Sequence, residues 1–157
     1  PAYNRADLIG ETLRTVLSQS AAPSEVIVVD TSAVLAIIQA EPEADAFLDI
    51  IRQADRVVIS AVSVLEAGMV LRGRRGPVGL DQLSDIIDGM AIEIIPFDAP
   101  LVAGALEAFS RYGKGIDPAA RLNMGDCASY ALAKGMNASL LFKGNDFTAT
   151  DLTPARL

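Results

Sequence analysis

Hydrophobic residues in this chain fall into two alternating patterns. Short aliphatic runs, VIVV at 26–29, RVVIS at 56–60, AIEIIPF at 91–97 and SLLF at 139–142, have the length and β-branched content of strands buried on both faces. Between them come longer stretches with apolar residues three and four apart, the spacing of a helix with one buried side. These stretches cover 33–39, 41–54, 61–76, 78–90, 98–115 and 122–138. A further helix is expected at 6–18, followed by the loop SAAPSE at 20–25. Alternating strands and helices predict an α/β domain whose mostly parallel sheet is covered on both faces. Acids open the segment at 41–54, where a helix dipole favours them. Gly73 and Gly76 are expected to close the helix before them, Asp98 to cap the next but one, and Gly113 to stop it.

Composition narrows the chemistry. At 157 residues the chain has the length of one domain. Its core must be aliphatic, since tryptophan is absent and aromatics make up 5% of the residues. No apolar stretch reaches the roughly 18 residues of a membrane span, and the polar start, PAYNRADLIG, lacks a signal-peptide pattern. A single cysteine, Cys127, rules out an internal disulfide framework and fits a reducing cytoplasm. With no histidine, Ser-His-Asp catalysis is excluded, as is most zinc chemistry. Catalysis must therefore run on carboxylates, lysine, hydroxyls or a hard metal ion. The net charge of −7 argues mildly against a nucleic-acid partner. Yet Arg72, Arg74 and Arg75 stand together in LRGRRGP, Arg111, Lys114 and Arg121 form a looser group, and an acidic metal pocket would itself make the total negative.

The acids carry the sharper signal. Ligands of open parallel sheets bind beyond the carboxyl ends of the strands, and four acids fall there. Asp30 ends the first run; Glu66 lies about one and a half turns past Ser60; Asp126 comes early in a helix of small residues; Asp146 sits in a Gly-Asn-Asp turn after SLLF. Each also has a plain structural use. Asp30 suits a helix cap, and Asp126 suits an N-cap after Gly125. Asp146 suits a turn. Ser63-x-x-Glu66 fits a capping box, although a helix starting at Ser60 would leave Glu66 inside the apolar segment VSVLEAGMV. Taken jointly the four fit Mg²⁺ or Mn²⁺, which prefer oxygen ligands. A carboxylate cluster stays ionised together only beside a cation, and such a site activates water and stabilises a phosphodiester in transit.

From Val26 onward the chain resembles the PIN-domain ribonucleases, closely the VapC toxins of bacterial toxin–antitoxin pairs. The resemblance is carried by VIVVDTSAVLAI, ISAVSVLEAG, LNMGDCASYALAK and LLFKGNDFTATDL, in the family's order and spacing. It implies a PIN-like α/β/α sandwich, Mg²⁺- or Mn²⁺-dependent cleavage of RNA, a homodimer and inhibition by a VapB-type antitoxin. Asp30, Glu66, Asp126 and Asp146 match the family's catalytic, metal-holding acids. Ser32 matches a residue supporting the first aspartate, and Asp151 is an outer-shell candidate. Arg72, Arg74 and Arg75 are candidate RNA contacts. In GKGIDPAARLNMGD, Asp117 stands where a more basic lead-in is expected.

Residues 1–30 resemble something else, the start of a family 2 glycosyltransferase with its nucleotide-sugar-binding βαβ unit. The likeness stops at Thr31-Ser32-Ala33, and no Asp-x-Asp metal motif follows. The two patterns share the VIVVD strand, so a fusion or chimera is expected, with residues 1–25 an appendage to a PIN domain at 26–157. Two alternatives to a nuclease follow: a catalytically silent module that binds antitoxin or RNA, and nucleotide-sugar binding by the leading segment. Aspartyl-phosphate chemistry is disfavoured, because Asp30-Thr31-Ser32 lacks the second aspartate it would need.

Overall fold

The computed structural model describes residues 25–156; the helix expected at 6–18, and with it the glycosyltransferase-like stretch up to residue 24, lies outside the described residues. In chain order the elements are β1 (Val26–Val29), α1 (Thr31–Ile38), α2 (Ala44–Gln53), β2 (Arg56–Ser60), α3 (Ala61–Arg75) and α4 (Pro77–Gly89). They continue with β3 (Glu93–Ile95), α5 (Ala99–Tyr112), α6 (Met124–Met136) and β4 (Ser139–Leu141). The sheet runs β3-β2-β1-β4, and every neighbouring pair is parallel. This is the α/β/α sandwich expected from the alternating pattern.

Period-2 side-chain alternation makes the strands two-faced. Ile27, Val29 and Ile59 pack on one face with Val34 of α1, Leu71 of α3 and Leu83 of α4. Val28, Val58 and Leu140 pack on the other with Ala108 of α5 and Tyr130 and Leu132 of α6. The chain builds β1, β2 and β3 outward in one direction, then returns through α6 to place β4 on the far side of β1. The order therefore reverses beside β1, and such switch points open a crevice at the carboxyl edge. Asp30 stands at that point, its backbone N–H donating to Leu141 O at 2.9 Å.

Local boundaries follow the residues, with four departures from expectation. The run at 91–97 yields only three strand residues, because β3 is an edge with Glu93 and Ile94 exposed and Pro96 has no N–H to continue a ladder. Gly73 lies within α3, and Gly76, at φ +68°, ends it. Ser60 caps α3 through a bond from Val62 N, so Ser63 and Glu66 form no capping box. The cap of α6 is Asn123, with Asp126 as its reciprocal partner. Asp98 caps α5 as expected, accepting from Leu101 N.

Candidate functional site

Asp30 is both a cap and a buried acid. It is 2% exposed, and its backbone is extended, as an N-cap residue requires. Oδ1 accepts from Ser32 N at 2.8 Å and from Ser32 Oγ at 2.6 Å. Oδ2 accepts from Ser129 Oγ at 2.7 Å. Both carboxylate oxygens are thus engaged by protein donors. Ser32 Oγ also accepts from Lys143 N at 3.0 Å, which ties the exit of β4 to the same corner.

Glu66 reaches the corner from α3. Thr31 Oγ1 donates to its Oε2 at 2.7 Å. Ser63, one turn earlier and fully buried, makes a 3.0 Å hydroxyl contact with Ser129. Gly125 is what lets Glu66 lie where it does. A Cβ built on Gly125 would collide with the Glu66 carboxylate, so the backbone at the start of α6 forms a cradle for it.

Asp126 follows that glycine. Its Oδ2 accepts from Asn123 N at 2.8 Å, and its own N–H donates to Asn123 Oδ1 at 3.0 Å. Burial pushes its carboxyl up to about 7; the bond from Asn123 opposes this, while the charges of Asp30, Asp146 and Glu66 add to it. Asp146 is exposed, in the turn beyond β4.

As the side chains stand, no three acidic groups among the described residues converge closely enough to share one ion. The reason is local: Asp30 and Glu66 are turned onto hydroxyls, and Asp126 onto a backbone amide. The donor set is nevertheless all oxygen, the Gly125 cradle holds Glu66 beside Asp126, and a hard divalent cation suits such a set.

Two predicted groups stand elsewhere. Asp151 lines a cleft with Lys134, Asn137 and Ser139, at the amino end of β4, away from the edge that carries Asp30. Tyr130 OH donates to it at 2.6 Å and Lys134 Nζ at 3.2 Å, with Arg111 at 3.6 Å. These donors hold its carboxyl down at about 2, the Tyr130 hydrogen bond foremost. An outer-shell place for Asp151 does not match these partners. Arg74 donates to Gln39 Oε1, and Arg75 to Ile38 O and Gln82 Oε1, so both fasten the end of α3 to its neighbours. Ser129 and Asn123 went unread in the sequence, Ser63 was read only as half of a capping box and Thr31 only as part of a turn. Their signal was polar residues one turn from Glu66 and Asp126 on otherwise apolar helix faces.

An apolar groove of 450 Å³ borders the acids, lined by Val62, Leu65, Val102, Leu106, Phe109 and Met124 among others. Leu65 and Met124 are 63% and 77% exposed. Among the described residues no helix is long and apolar enough to cross a membrane.

The family model described as "PIN domain" matches residues 27–152. Ribonuclease VapC28 of Mycobacterium tuberculosis is 40% identical over 129 residues, covering 82% of this chain and 97% of the relative. Ribonuclease VapC30 of the same organism is 38% identical over 132 residues, covering 83% and 99%. Among solved structures, M. tuberculosis VapC20, described as a sarcin–ricin loop cleaving toxin, matches with a TM-score of 0.67 at 18% identity, covering 83% of this chain and 99% of that one. VapBC2 from Rickettsia felis, bound to a DNA fragment from their promoter, matches at 0.65 and 16% identity, covering 82% and 96%. At those identities the solved structures bear on the fold alone.

Proposed function

The chain belongs to the PIN-domain family and, within it, to the VapC ribonucleases, and on that premise we propose that it is a cytoplasmic Mg²⁺- or Mn²⁺-dependent endoribonuclease toxin restrained by a VapB-type antitoxin. The observation that carries the catalytic part is the linkage that gathers Asp30, Glu66 and Asp126 at the sheet's switch point, Ser129 on Asp30, Thr31 on Glu66 and Gly125 between Glu66 and Asp126, with Asp146 in the turn beyond β4. These four residues would hold the metal. When bound, a divalent ion supplies Lewis acidity that acidifies water and offsets charge developing on a phosphodiester. The chain's own residues do the rest. Ser32 and Ser129 orient Asp30. Thr31 and the Gly125 cradle aim Glu66. Asn123 holds the Asp126 carboxylate at the start of α6.

RNA contacts are assigned first to Arg72, which has no side-chain hydrogen bond among the described residues, and then to Arg74 and Arg75, whose guanidinium groups are already engaged. The apolar groove beside Glu66 supports cover by protein, either the antitoxin or a second copy in a homodimer. Residues 1–25 are assigned as an appendage to the PIN domain at 26–157, with nucleotide-sugar binding as a separate reading of that segment. A UDP-induced thermal shift tests the latter.

One observation favours a catalytically silent binding module: Asp30 and Glu66 already spend lone pairs on protein hydroxyls. The deciding experiment incubates a tRNA and single-stranded RNA panel with Mg²⁺, Mn²⁺ or EDTA, beside Asp30→Asn. Metal-dependent cutting by the parent alone is the expected result. RNA protected but uncut at saturating Mn²⁺ establishes the silent reading, and full activity of Asp30→Asn overturns the assignment of the acids.

A further inference from the structure

Asp30 is buried at the acid group, and its Oδ2 also meets a pair of buried serines. Ser63 and Ser129 are both 0% exposed. Their hydroxyls lie 3.0 Å apart, and Ser129 Oγ lies 2.7 Å from Asp30 Oδ2. Either serine could donate to the other when that pair is taken alone. The order is decided by Asp30. Its carboxylate oxygens accept, Oδ1 from Ser32 N and Oγ and Oδ2 from Ser129 Oγ. Ser129 has one proton and must give it to Asp30. Ser63 must then donate to Ser129. The hydroxyls form a directed chain, Ser63 to Ser129 to Asp30, ending on a charge that polarises both bonds.

The chain joins the three elements that carry the buried side of the acid group. Ser63 lies one turn before Glu66 on α3, and Ser129 lies one turn after Asp126 on α6. Residues so spaced share a helix face. The contact therefore sets how α3 and α6 stand against the end of β1. It also rations Asp30. A carboxylate offers about four lone-pair sites; Ser32 fills two and Ser129 a third, leaving one.

We propose that Ser129, and Ser63 acting through it, are positioning residues for divalent-cation binding: they fix the Asp30 carboxylate and leave one of its lone pairs for the ion. This rests on the reading of the acids as the metal-holding group. Neither serine touches the ion or the RNA; their effect is on the affinity of the site.

The test is a double-mutant cycle on the full chain, reading free Mn²⁺ by electron paramagnetic resonance during titration, with circular dichroism in EDTA as the control for folding. Ser129→Ala should weaken Mn²⁺ binding about tenfold or more, as loss of a group orienting a metal ligand does. Ser63→Ala should weaken it less. The double variant should bind no more weakly than Ser129→Ala alone, because Ser63 has no route to Asp30 except through Ser129. Losses that add independently overturn the relay, and so does a Ser129→Ala affinity within about twofold of the parent, well short of that loss. Should Ser129→Ala fail to fold, Ser63→Ala decides, since every contact of Asp30 itself survives in it; parental affinity there overturns the proposal. A parent that binds no Mn²⁺ refutes the metal reading itself, and the relay with it.

Discussion

Thr31 Oγ1 donates a 2.7 Å hydrogen bond to Glu66 Oε2, joining the first residue of α1 to the second turn of α3. The bond spans the gap between β1 and β2 at the sheet's carboxyl edge. Thr31 is buried, and its hydroxyl also lies 3.3 Å from Ser63 O. Replacing it by valine keeps the shape and removes the donor. Thr31→Val should cost about 1 kcal/mol of stability, the worth of one such hydrogen bond, and should weaken divalent-cation binding about tenfold. Urea denaturation and Mn²⁺ titration read the two effects separately. A variant that loses stability alone would make Thr31 a fold residue only.

Gly125 gives a test in which stability and activity part company. Alanine is the better helix former by about 1 kcal/mol, yet its Cβ would collide with the Glu66 carboxylate. Gly125→Ala should therefore melt close to the parent while losing most RNA cleavage. Full activity in this variant would show that Glu66 is free to act from another position.

Asp126 makes the metal-free protein sensitive to pH in an unusual direction. Burial raises its carboxyl to about 7 in the folded chain, against about 4 when unfolded. Between those values the folded state keeps a proton that the unfolded state has lost. This group's contribution to stability is thus full below about pH 4 and is lost as pH rises toward 7. Asp126→Asn should flatten that part of the profile. A divalent cation favours the ionised form, so its stabilising effect should grow over the same range. Thermal melts in EDTA and in Mg²⁺ across pH 4–8 check both; a cation effect that shrinks as pH rises would contradict the role given to Asp126.

Asp151 behaves oppositely. The Tyr130 hydrogen bond, Lys134 and Arg111 hold its folded carboxyl at about 2, so its stabilisation is present above the unfolded value near 4 and fades as pH falls toward 2. Because the group is exposed, the effect is small. Tyr130→Phe should lower the thermal midpoint at pH 7, and the difference should shrink at about pH 2. An unchanged difference at low pH would assign the loss to packing rather than to Asp151.

Much of this architecture was legible as pattern. VIVV and the VVI of RVVIS are unbroken aliphatic runs, and both segments are strands along their full length as read, because burial on two faces favours such runs. Asp30 was legible too, since an acid closing such a strand needs a use. The edge strand was misjudged: AIEIIPF reads like the others, but only a sheet neighbour can say whether a strand is central, and β3 has one. Asp151 was misplaced for a related reason. The resemblance offered it an outer-shell place, but its donors, Tyr130, Lys134 and Arg111, come from α5 and α6, contacts that no local pattern shows.

Sequence by itself determined the local terms: which runs are strands, which helices are two-sided, that catalysis had to do without histidine, and that Asp30, Glu66, Asp126 and Asp146 stand at strand ends or helix starts. These follow from period, propensity and composition, which act over a few residues. Tertiary structure decided what the acids face. Ser129 is bonded to Asp30 across 99 positions and Thr31 to Glu66 across 35, and Gly125 makes room for a carboxylate from another helix. Such contacts depend on how α3 and α6 pack against β1, a property of the assembled core that no short stretch of the chain contains.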